Sequence, residues 1–304
     1  MRSTTSTKPG LLWLVCVLLT LVCQAQAQSS IDPDMDVIKV DTTLVTVNVS
    51  VTDARNRHLQ GLKLEDFQVT DEGKTVRPEF FDSEGPESIV FLIDVSSSMR
   101  GEKWQHLRAG LKSFLKKGRE GSDYTLIAFN QKPRLIVSAV NAEQLWQSFD
   151  SLRPYGDTAL YDALILGLEA LERVPQRHRA LVLLSDGEDN SSQAGLRLVE
   201  QETLAHRATI YPVGILLDER SLPYQANGKK LLNELAAATG GFVLFPEAYR
   251  IPAVLELISA DLSGQYSFSY YPPDKAAGWR RVQVSIAQNS SRLNVRYQQR
   301  YLMR

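Results

Sequence analysis

The sequence predicts an α/β protein: a mostly parallel central sheet with helices on both faces, joined to a small β layer built from the two flanks of the chain. Between residues 89 and 263, short and almost wholly apolar segments alternate with helical patterns. That alternation is typical of a parallel sheet covered on both faces. Before and after this region, apolar and polar residues alternate strictly, with the period of half-buried strands.

Six strands and six helices are predicted in the central region. The strands are Ile89–Ile93, Tyr124–Phe129, Leu135–Ser138, Ala180–Leu184, Thr209–Val213 and Gly241–Phe245. The helices are Lys103–Lys117, Ala142–Phe149, Thr158–Leu171, Gly195–His206, Lys230–Thr239 and Ala248–Ser263. The connection "FNQKPRL" is too short to carry a helix, so it predicts an antiparallel hairpin at one edge of the sheet.

The two flanks are predicted to pack together as one β layer. "LVTVNVSVTD", from Leu44, places four valines on one face of a strand, and a turn is predicted at 71–74. Residues 28–88 carry 13 acidic and 6 basic residues, whereas residues 275–304 carry 7 basic residues and no acidic one. Opposite charges favour the contact, although exposed pairs are individually weak. The C-terminal arginines have two open interpretations, a solvated strand face or an anion-binding surface.

The N-terminus predicts a signal peptide over residues 1–27. Arg2 and Lys8 precede the apolar run "LLWLVCVLLTLVC", and Ala25 and Ala27 have the spacing that a signal peptidase accepts. The run is shorter than the roughly 20 residues of a spanning helix, so a retained anchor is the less favoured alternative. We therefore expect an exported protein, periplasmic or extracellular, without stable membrane insertion after cleavage.

Composition excludes several classes of function. Both cysteines, Cys16 and Cys23, lie inside the predicted signal peptide, so the mature chain would have no disulfide, thiol nucleophile or cysteine-ligated zinc. The formal net charge is −1, and removal of residues 1–27 leaves 32 basic against 35 acidic residues, a net charge of −3. This balance does not favour binding to nucleic acid.

Polar side chains directly follow two of the predicted buried strands. In "FLIDVSSSMRG" the acid Asp94 is followed by Ser96 and Ser98, and "ALVLLSDGEDN" continues into Asp186. A third segment, "YGDTALYDAL", places Thr158 at a predicted helix start. Ligands of open α/β sheets bind beyond the carboxyl ends of the strands. Carboxylate and hydroxyl oxygens suit Mg²⁺. Because only two of these five side chains are charged, a bound metal would keep enough positive charge to bind an acidic group of a partner.

The segment "DVSSS" resembles the Asp-x-Ser-x-Ser signature of the von Willebrand factor A (VWA) domain. Thr158 and Asp186 fall where that family's metal-ion-dependent adhesion site, the MIDAS, takes its threonine and second aspartate. The resemblance covers about residues 89–263 and implies a Rossmann-like fold. It implies that Ser96, Ser98 and Thr158 contact the metal and that Asp94 and Asp186 act directly or through water. Mg²⁺ is the expected cofactor, with Mn²⁺ or Ca²⁺ as alternatives.

More loosely, the flanks resemble those of bacterial VWFA-related exported proteins. We therefore divide the chain into a signal peptide (1–27), an N-terminal β segment with linker (28–88), a VWA domain (89–263) and a C-terminal β segment (264–304) that packs with the N-terminal one as a β-sandwich flank.

Some of these residues also have simpler interpretations. Thr158 could cap a helix N-terminus, and Asp186 could begin an Asp-Gly turn. Glu188 and Asp189 are expected to be solvated loop acids, and Met99 is expected to pack under the site. The four histidines, which have no ligand spacing, are expected in surface or capping roles; they are His58, His106, His178 and His206.

Three functions follow from the sequence. The favoured one is an exported protein-binding module, not an enzyme, that captures a carboxylate of a partner protein or peptide through the metal. The alternative is a structural or assembly component of an envelope complex in which the metal is not essential. A metal-assisted hydrolase is disfavoured, because no positioned general base stands out beyond the ligands.

Overall fold

The computed structural model describes residues 44–174, 178–215, 222–287 and 293–303. The predicted signal peptide, its two cysteines and the segment as far as residue 43 lie outside the described residues. In chain order, the strands are β1 (Val45–Asp53), β2 (Phe67–Asp71), β3 (Lys74–Thr75), β4 (Phe80–Asp82), β5 (Glu87–Asp94), β6 (Asp123–Phe129), β7 (Pro133–Val140), β8 (His178–Ser185), β9 (Thr209–Gly214), β10 (Tyr266–Tyr270), β11 (Gly278–Ile286), β12 (Leu293–Tyr297) and β13 (Arg300–Met303). The helices are α1 (Glu102–Lys116), α2 (Ala142–Asp150), α3 (Leu160–Glu172), α4 (Leu196–Ala205), α5 (Leu222–Thr239) and α6 (Ile251–Ser263).

Five strands form the central sheet in the order β7-β6-β5-β8-β9. The pairs β5–β6, β5–β8 and β8–β9 are parallel, whereas β6 and β7 pair antiparallel at one edge. The predicted mostly parallel sheet with an antiparallel edge hairpin is therefore confirmed.

The strand predicted at Gly241–Phe245 is wrong. Only a single parallel bridge joins Leu244 to Val213 on β9. Pro212 on β9 has no N–H to donate, and Pro246 follows the predicted strand, so a longer ladder cannot form at this edge. Three helix starts also differ from the prediction by two residues or more, since α3 begins at Leu160, α5 at Leu222 and α6 at Ile251.

Both faces of the central sheet are covered by apolar packing. Alternate residues of β5 point to opposite sides: Ile89 and Phe91 join the core with α1, α2 and α6, while Val90 and Leu92 join the core with α3, α4 and α5. Every residue of β5 is buried, which explains the unbroken apolar run in the sequence. A strand so enclosed holds Asp94, its last residue, in a fixed position.

The flanks form a β-sandwich of two four-stranded sheets, in the orders β12-β1-β10-β4 and β13-β11-β2-β3. Both sheets combine strands from before and after the α/β region, which alternate in the first sheet and form two adjacent pairs in the second. Their inward residues share one apolar core. The predicted joint β layer is confirmed, whereas the proposed domain limits stay predictions.

Two arginines of the C-terminal segment, Arg280 and Arg296, fit neither interpretation offered by the sequence, whereas Arg281 and Arg300 are exposed, as the solvated strand face predicts. Arg280 is 5% exposed and its Nε donates to Oδ1 of Asp71 at 3.0 Å. Arg296 donates to Asp261 and to Ser50 Oγ. These two guanidinium groups therefore neutralise buried carboxylates of the chain itself.

Asp261, on α6, joins the sandwich to the α/β region. Its carboxylate accepts hydrogen bonds from Ser50 Oγ on β1 at 2.8 Å and from Tyr211 Oη on β9 at 2.6 Å. Arg296 and His58 also contact it, with His58 Nε2 at 3.1 Å. These partners outweigh the effect of burial and lower the pKa of Asp261. Within the described part of the chain, no helix is long and apolar enough to cross a membrane.

We expect Asp261→Ala to lower the free energy of unfolding by about 3–5 kcal/mol, because Arg296 and the hydroxyls would lose their common buried acceptor. Tyr211→Phe, which removes one hydrogen bond and keeps the ring, should cost about 1–1.5 kcal/mol. Urea denaturation of both variants measures this. A loss in Asp261→Ala no larger than that in Tyr211→Phe would contradict the role given to Asp261.

A second buried acid, Glu87 on β5, predicts a pH dependence of stability. Burial raises its pKa from 4.5 to about 7, and the Nε of Arg119, 3.7 Å from Oε1, offsets this only in part. Because the folded protein holds this proton more tightly than the unfolded chain, the contribution to stability falls as pH rises from 4.5 to 7. Glu87→Gln should therefore gain stability over the wild type across that window, by about 2–3 kcal/mol at pH 8. Denaturation at a series of pH values tests this, with the exposed Glu84→Gln as control; parallel curves for Glu87→Gln and wild type would contradict it.

Candidate metal centre

Asp94 is held in place by the two loops beside it. Its side chain is fully buried at the carboxyl end of β5. Oδ1 accepts the backbone N–H of Ser96 at 2.8 Å, and Oδ2 accepts the hydroxyl of Ser185, the last residue of β8, also at 2.8 Å. Ser185 Oγ in turn accepts the N–H of Gly187 at 3.1 Å. The carboxylate is thus oriented from two neighbouring strands.

The two predicted serine ligands meet directly. Ser96 precedes a short 3₁₀ turn, Ser97–Met99, which returns the chain so that Ser96 Oγ and Ser98 Oγ lie 3.0 Å apart. Met99 is fully buried in the core beneath this turn, as predicted. The turn therefore presents two hydroxyls beside Asp94 on an anchored base.

Backbone hydrogen bonds connect the loop of Thr158 to both of the others. The N–H of Ser97 donates to the carbonyl of Gly156 at 2.9 Å. The N–H of Thr158 donates to Asn190 Oδ1 at 2.9 Å, and the carbonyl of Thr158 accepts the N–H of Asn190 at 3.0 Å. Thr158 is 4% exposed. It does not cap α3, because the N-cap residue is Ala159 and has no side-chain cap.

Asp186 follows β8 and is 2% exposed. Its Oδ1 accepts the N–H of Glu188 at 3.2 Å, which agrees with the interpretation of Asp186 as the start of a turn. Gly187 has φ +84°, and a Cβ there would lie 3.2 Å from Gly228 on α5. Glycine at 187 therefore satisfies both a left-handed conformation and a close approach to the helix.

The electrostatics of the centre favour a cation. Burial and the neighbouring Asp186 raise the pKa of Asp94 to about 7. Burial and Asp186 likewise raise the pKa of Glu188. Burial lowers the pKa of Lys103, although Asp186, Asp94 and Glu188 act in the opposite direction. Two buried acids at the carboxyl ends of neighbouring strands destabilise the folded protein unless a positive charge compensates them.

The donor set fits a hard divalent cation. It consists of two carboxylates and three hydroxyls, all of them oxygen ligands. Within 44–174, 178–215, 222–287 and 293–303, no group of three or more His, Cys, Asp and Glu side chains is arranged to hold a metal. A site rich in hydroxyls agrees with that finding, since it needs fewer charged ligands.

The structure brings Asp94, Ser96 and Ser98 into one hydrogen-bonded group and places Thr158 and Asp186 in the two adjoining loops. Sequence reasoning missed the supporting residues. Ser185 could have been found from its position before Asp186. Asn190, by contrast, has no spacing signal, because its contact with Thr158 spans two separate loops.

Other expectations near the site need correction. Asp189 is not simply solvated, since its Oδ1 accepts the N–H of Tyr161 at 3.2 Å and the hydroxyl of Ser192. Two of the four histidines, His58 and His178, face buried or half-buried acids rather than solvent. His206 has the expected capping role, because it is the C-cap residue of α4 and its Nδ1 lies 2.8 Å from the carbonyl oxygen of Glu202. His178 and His206 are 2% and 6% exposed, respectively. An imidazole with one apolar edge can be buried when a carboxylate partner is near, and spacing in sequence does not show such partners.

Part of the central region is similar to known proteins. A family model for the von Willebrand factor type A domain matches residues 89–188. Inter-alpha-trypsin inhibitor heavy chain H4 of Sus scrofa is 26% identical over 170 residues, covering 51% of this chain and 18% of that protein. Heavy chain H3 of Rattus norvegicus is 31% identical over 122 residues, covering 36% and 14%. The matches thus span less than a fifth of the length of these relatives.

A solved structure agrees in fold. The von Willebrand factor type A protein from Catenulispora acidiphila superposes with a TM-score of 0.50 at 12% identity, covering 87% of this chain and 74% of that chain. The mostly parallel sheet with a polar carboxyl edge defines an α/β domain of the class whose ligands bind beyond the strand ends. Residues 89–188 of this region match the von Willebrand factor type A domain family.

We expect Asp94→Asn to stabilise the metal-free protein by about 1–3 kcal/mol at pH 8, because it removes a buried charge next to Asp186 while an amide can still bond to Ser96 and Ser185. Thermal unfolding in EDTA measures this, with the exposed Glu120→Gln as charge-matched control. A lower melting temperature for Asp94→Asn in EDTA would contradict it.

Proposed function

We propose that this chain is an exported, divalent-metal-dependent protein-binding module that captures an acidic group of a partner at the VWA site. VWA domains are a family of metal-dependent interaction and adhesion modules. The observation that carries the proposal is the joining of three loops by hydrogen bonds: Asp94 contacts the loops after β5 and β8, and backbone hydrogen bonds connect the loop of Thr158 to both of them.

In this proposal Ser96, Ser98 and Thr158 provide hydroxyl oxygens for the metal, and Asp94 and Asp186 bind it directly or through water. Mg²⁺ is the proposed ion because it accepts oxygen ligands and keeps several waters. When bound, the metal supplies a positive centre that can exchange a water for a carboxylate. The chain's own contribution is orientation: Ser185 and the Ser96 N–H hold Asp94, and Asn190 holds the loop of Thr158.

The site supports capture rather than turnover. Its acids are committed to orientation and to the proposed metal, and Asp94 accepts hydrogen bonds through both oxygens. The relatives named above are protease-inhibitor heavy chains by name. Export is supported by the N-terminal pattern of basic residues, apolar run and small residues.

Mg²⁺ or Mn²⁺ should raise the melting temperature of the chelator-treated protein, because a ligand that binds only the folded state stabilises it by mass action; at one hundred times Kd the gain is about 2.7 kcal/mol. Thr158→Val and Asp94→Ala should each weaken or abolish the shift. Thr203→Val is the matched control, since Thr203 is a buried threonine on α4. Equal shifts in Asp94→Ala and wild type would overturn the metal site.

Capture of a carboxylate is tested with an array of peptide pairs. One member of each pair contains Asp or Glu, and the other contains Asn or Gln at the same position. Binding should require Mg²⁺, be lost in EDTA, and be lost in the amide member of each pair. Binding that persists in EDTA or in Asp94→Ala would show that another surface recognises the partner.

A further inference from the structure

A lysine side chain extends along the carboxyl ends of the central strands toward the acids of the metal centre. Lys103 lies in the first turn of α1, which packs on one face of the sheet after β5. Its Nζ donates to the carbonyl of Ile215, the residue after β9, at 3.2 Å. In the strand order β5-β8-β9, β8 lies between these two points. The side chain therefore passes the end of β8, where Ser185 and Asp186 lie.

The acceptor of this hydrogen bond is itself tied to the centre. The N–H of Ile215 donates to the carbonyl of Ser185 at 2.8 Å, and Ser185 Oγ donates to Asp94. Lys103 is half-buried and lies within electrostatic reach of Asp94, Asp186 and Glu188. Among the described residues, no ion pair joins its ammonium to any of these acids. The charge is near enough to act on the centre, while the carboxylate oxygens are left to other partners.

We propose that Lys103 is the built-in counter-cation of this centre and that it sets the affinity for the metal. The inference rests on the proposed function, because it concerns the same site. Without metal, the ammonium offsets the two buried carboxylates and stabilises the folded chain. With metal, the same charge repels the ion and weakens its binding. Lys103 is thus a positioning and affinity-determining residue rather than a ligand.

This arrangement has a consequence for the partner. Because the ammonium of Lys103 already neutralises part of the negative charge, the site binds the metal less tightly. The bound ion is therefore more electrophilic. The acidic group of the partner then meets two positive charges, the metal and the ammonium. Lys103 should therefore weaken metal binding alone and favour the complex that contains both metal and carboxylate.

The first test needs no metal. Melting temperatures in EDTA are measured for wild type, Lys103→Met, Asp94→Asn and the double variant. Lys103→Met should lower the melting temperature, and Asp94→Asn should restore more stability in the Lys103→Met background than in the wild type. Additive effects would mean that Lys103 and Asp94 are not coupled, and would overturn the proposal whether or not the chain binds metal.

The second test measures the Kd for Mg²⁺ by titration calorimetry. Lys103→Met should tighten binding about tenfold, the effect of one unit charge several ångströms from a divalent ion in a strongly screening medium. The difference should shrink in high salt. Lys103→Arg should stay near the wild type. Lys116→Met is the matched control, because Lys116 is exposed at the other end of α1, about 20 Å away.

The outcomes separate the two proposals. If wild type binds Mg²⁺ and Asp94→Ala does not, but Lys103→Met is unchanged or weaker, the inference about Lys103 is wrong and the metal site stands. If Lys103→Met and Lys103→Arg weaken binding equally, Lys103 serves only to hold Ile215. If wild type binds no divalent ion, the proposed function fails, and the coupling in EDTA alone decides whether Lys103 is the counter-cation.

Discussion

The burial of Asp94 at the end of the central strand is the constraint on which the rest of the site depends. A fully buried carboxylate is costly unless its oxygens have partners. Here each oxygen accepts one hydrogen bond, from Ser96 N–H and from Ser185 Oγ. These bonds fix the direction of the side chain and draw the loops after β5 and β8 together. The arrangement keeps both carboxylates at one sheet edge, where a divalent ion would neutralise them.

The β-sandwich has a different part in the molecule. Its strands come from both ends of the described chain, so the sandwich closes a long loop that contains the α/β region. Asp261 then joins the two parts, because it accepts from Ser50 on β1 and from Tyr211 on β9. This contact between the two parts lies away from the carboxyl ends of the strands, which carry Asp94 and Asp186. The flanks therefore leave the carboxyl edge of the sheet to the metal centre.

Two of the buried acids, in contrast to those of the metal centre, are paired with an arginine at hydrogen-bond distance. Asp71 and Asp261 each have an arginine and at least one tyrosine hydroxyl as partners. Asp94 and Asp186 have hydroxyl and backbone donors instead, with Lys103 acting from a distance. Ion pairs with arginine thus neutralise Asp71 and Asp261. Among the described residues, no such ion pair neutralises the centre that is proposed to bind an external cation.

The sequence by itself determined the fold class, the edge hairpin, the joint β layer and the segments that meet at the site, because hydrophobic period and strand-end acids are local signals. It did not determine that Leu244 forms only one bridge, that Arg280 and Arg296 serve as internal counter-ions, or that His178 and His206 are buried. It also could not find Asn190 or the reach of Lys103 to Ile215. Each of these depends on contacts between segments far apart in the chain, and only the tertiary structure decides which distant groups become neighbours.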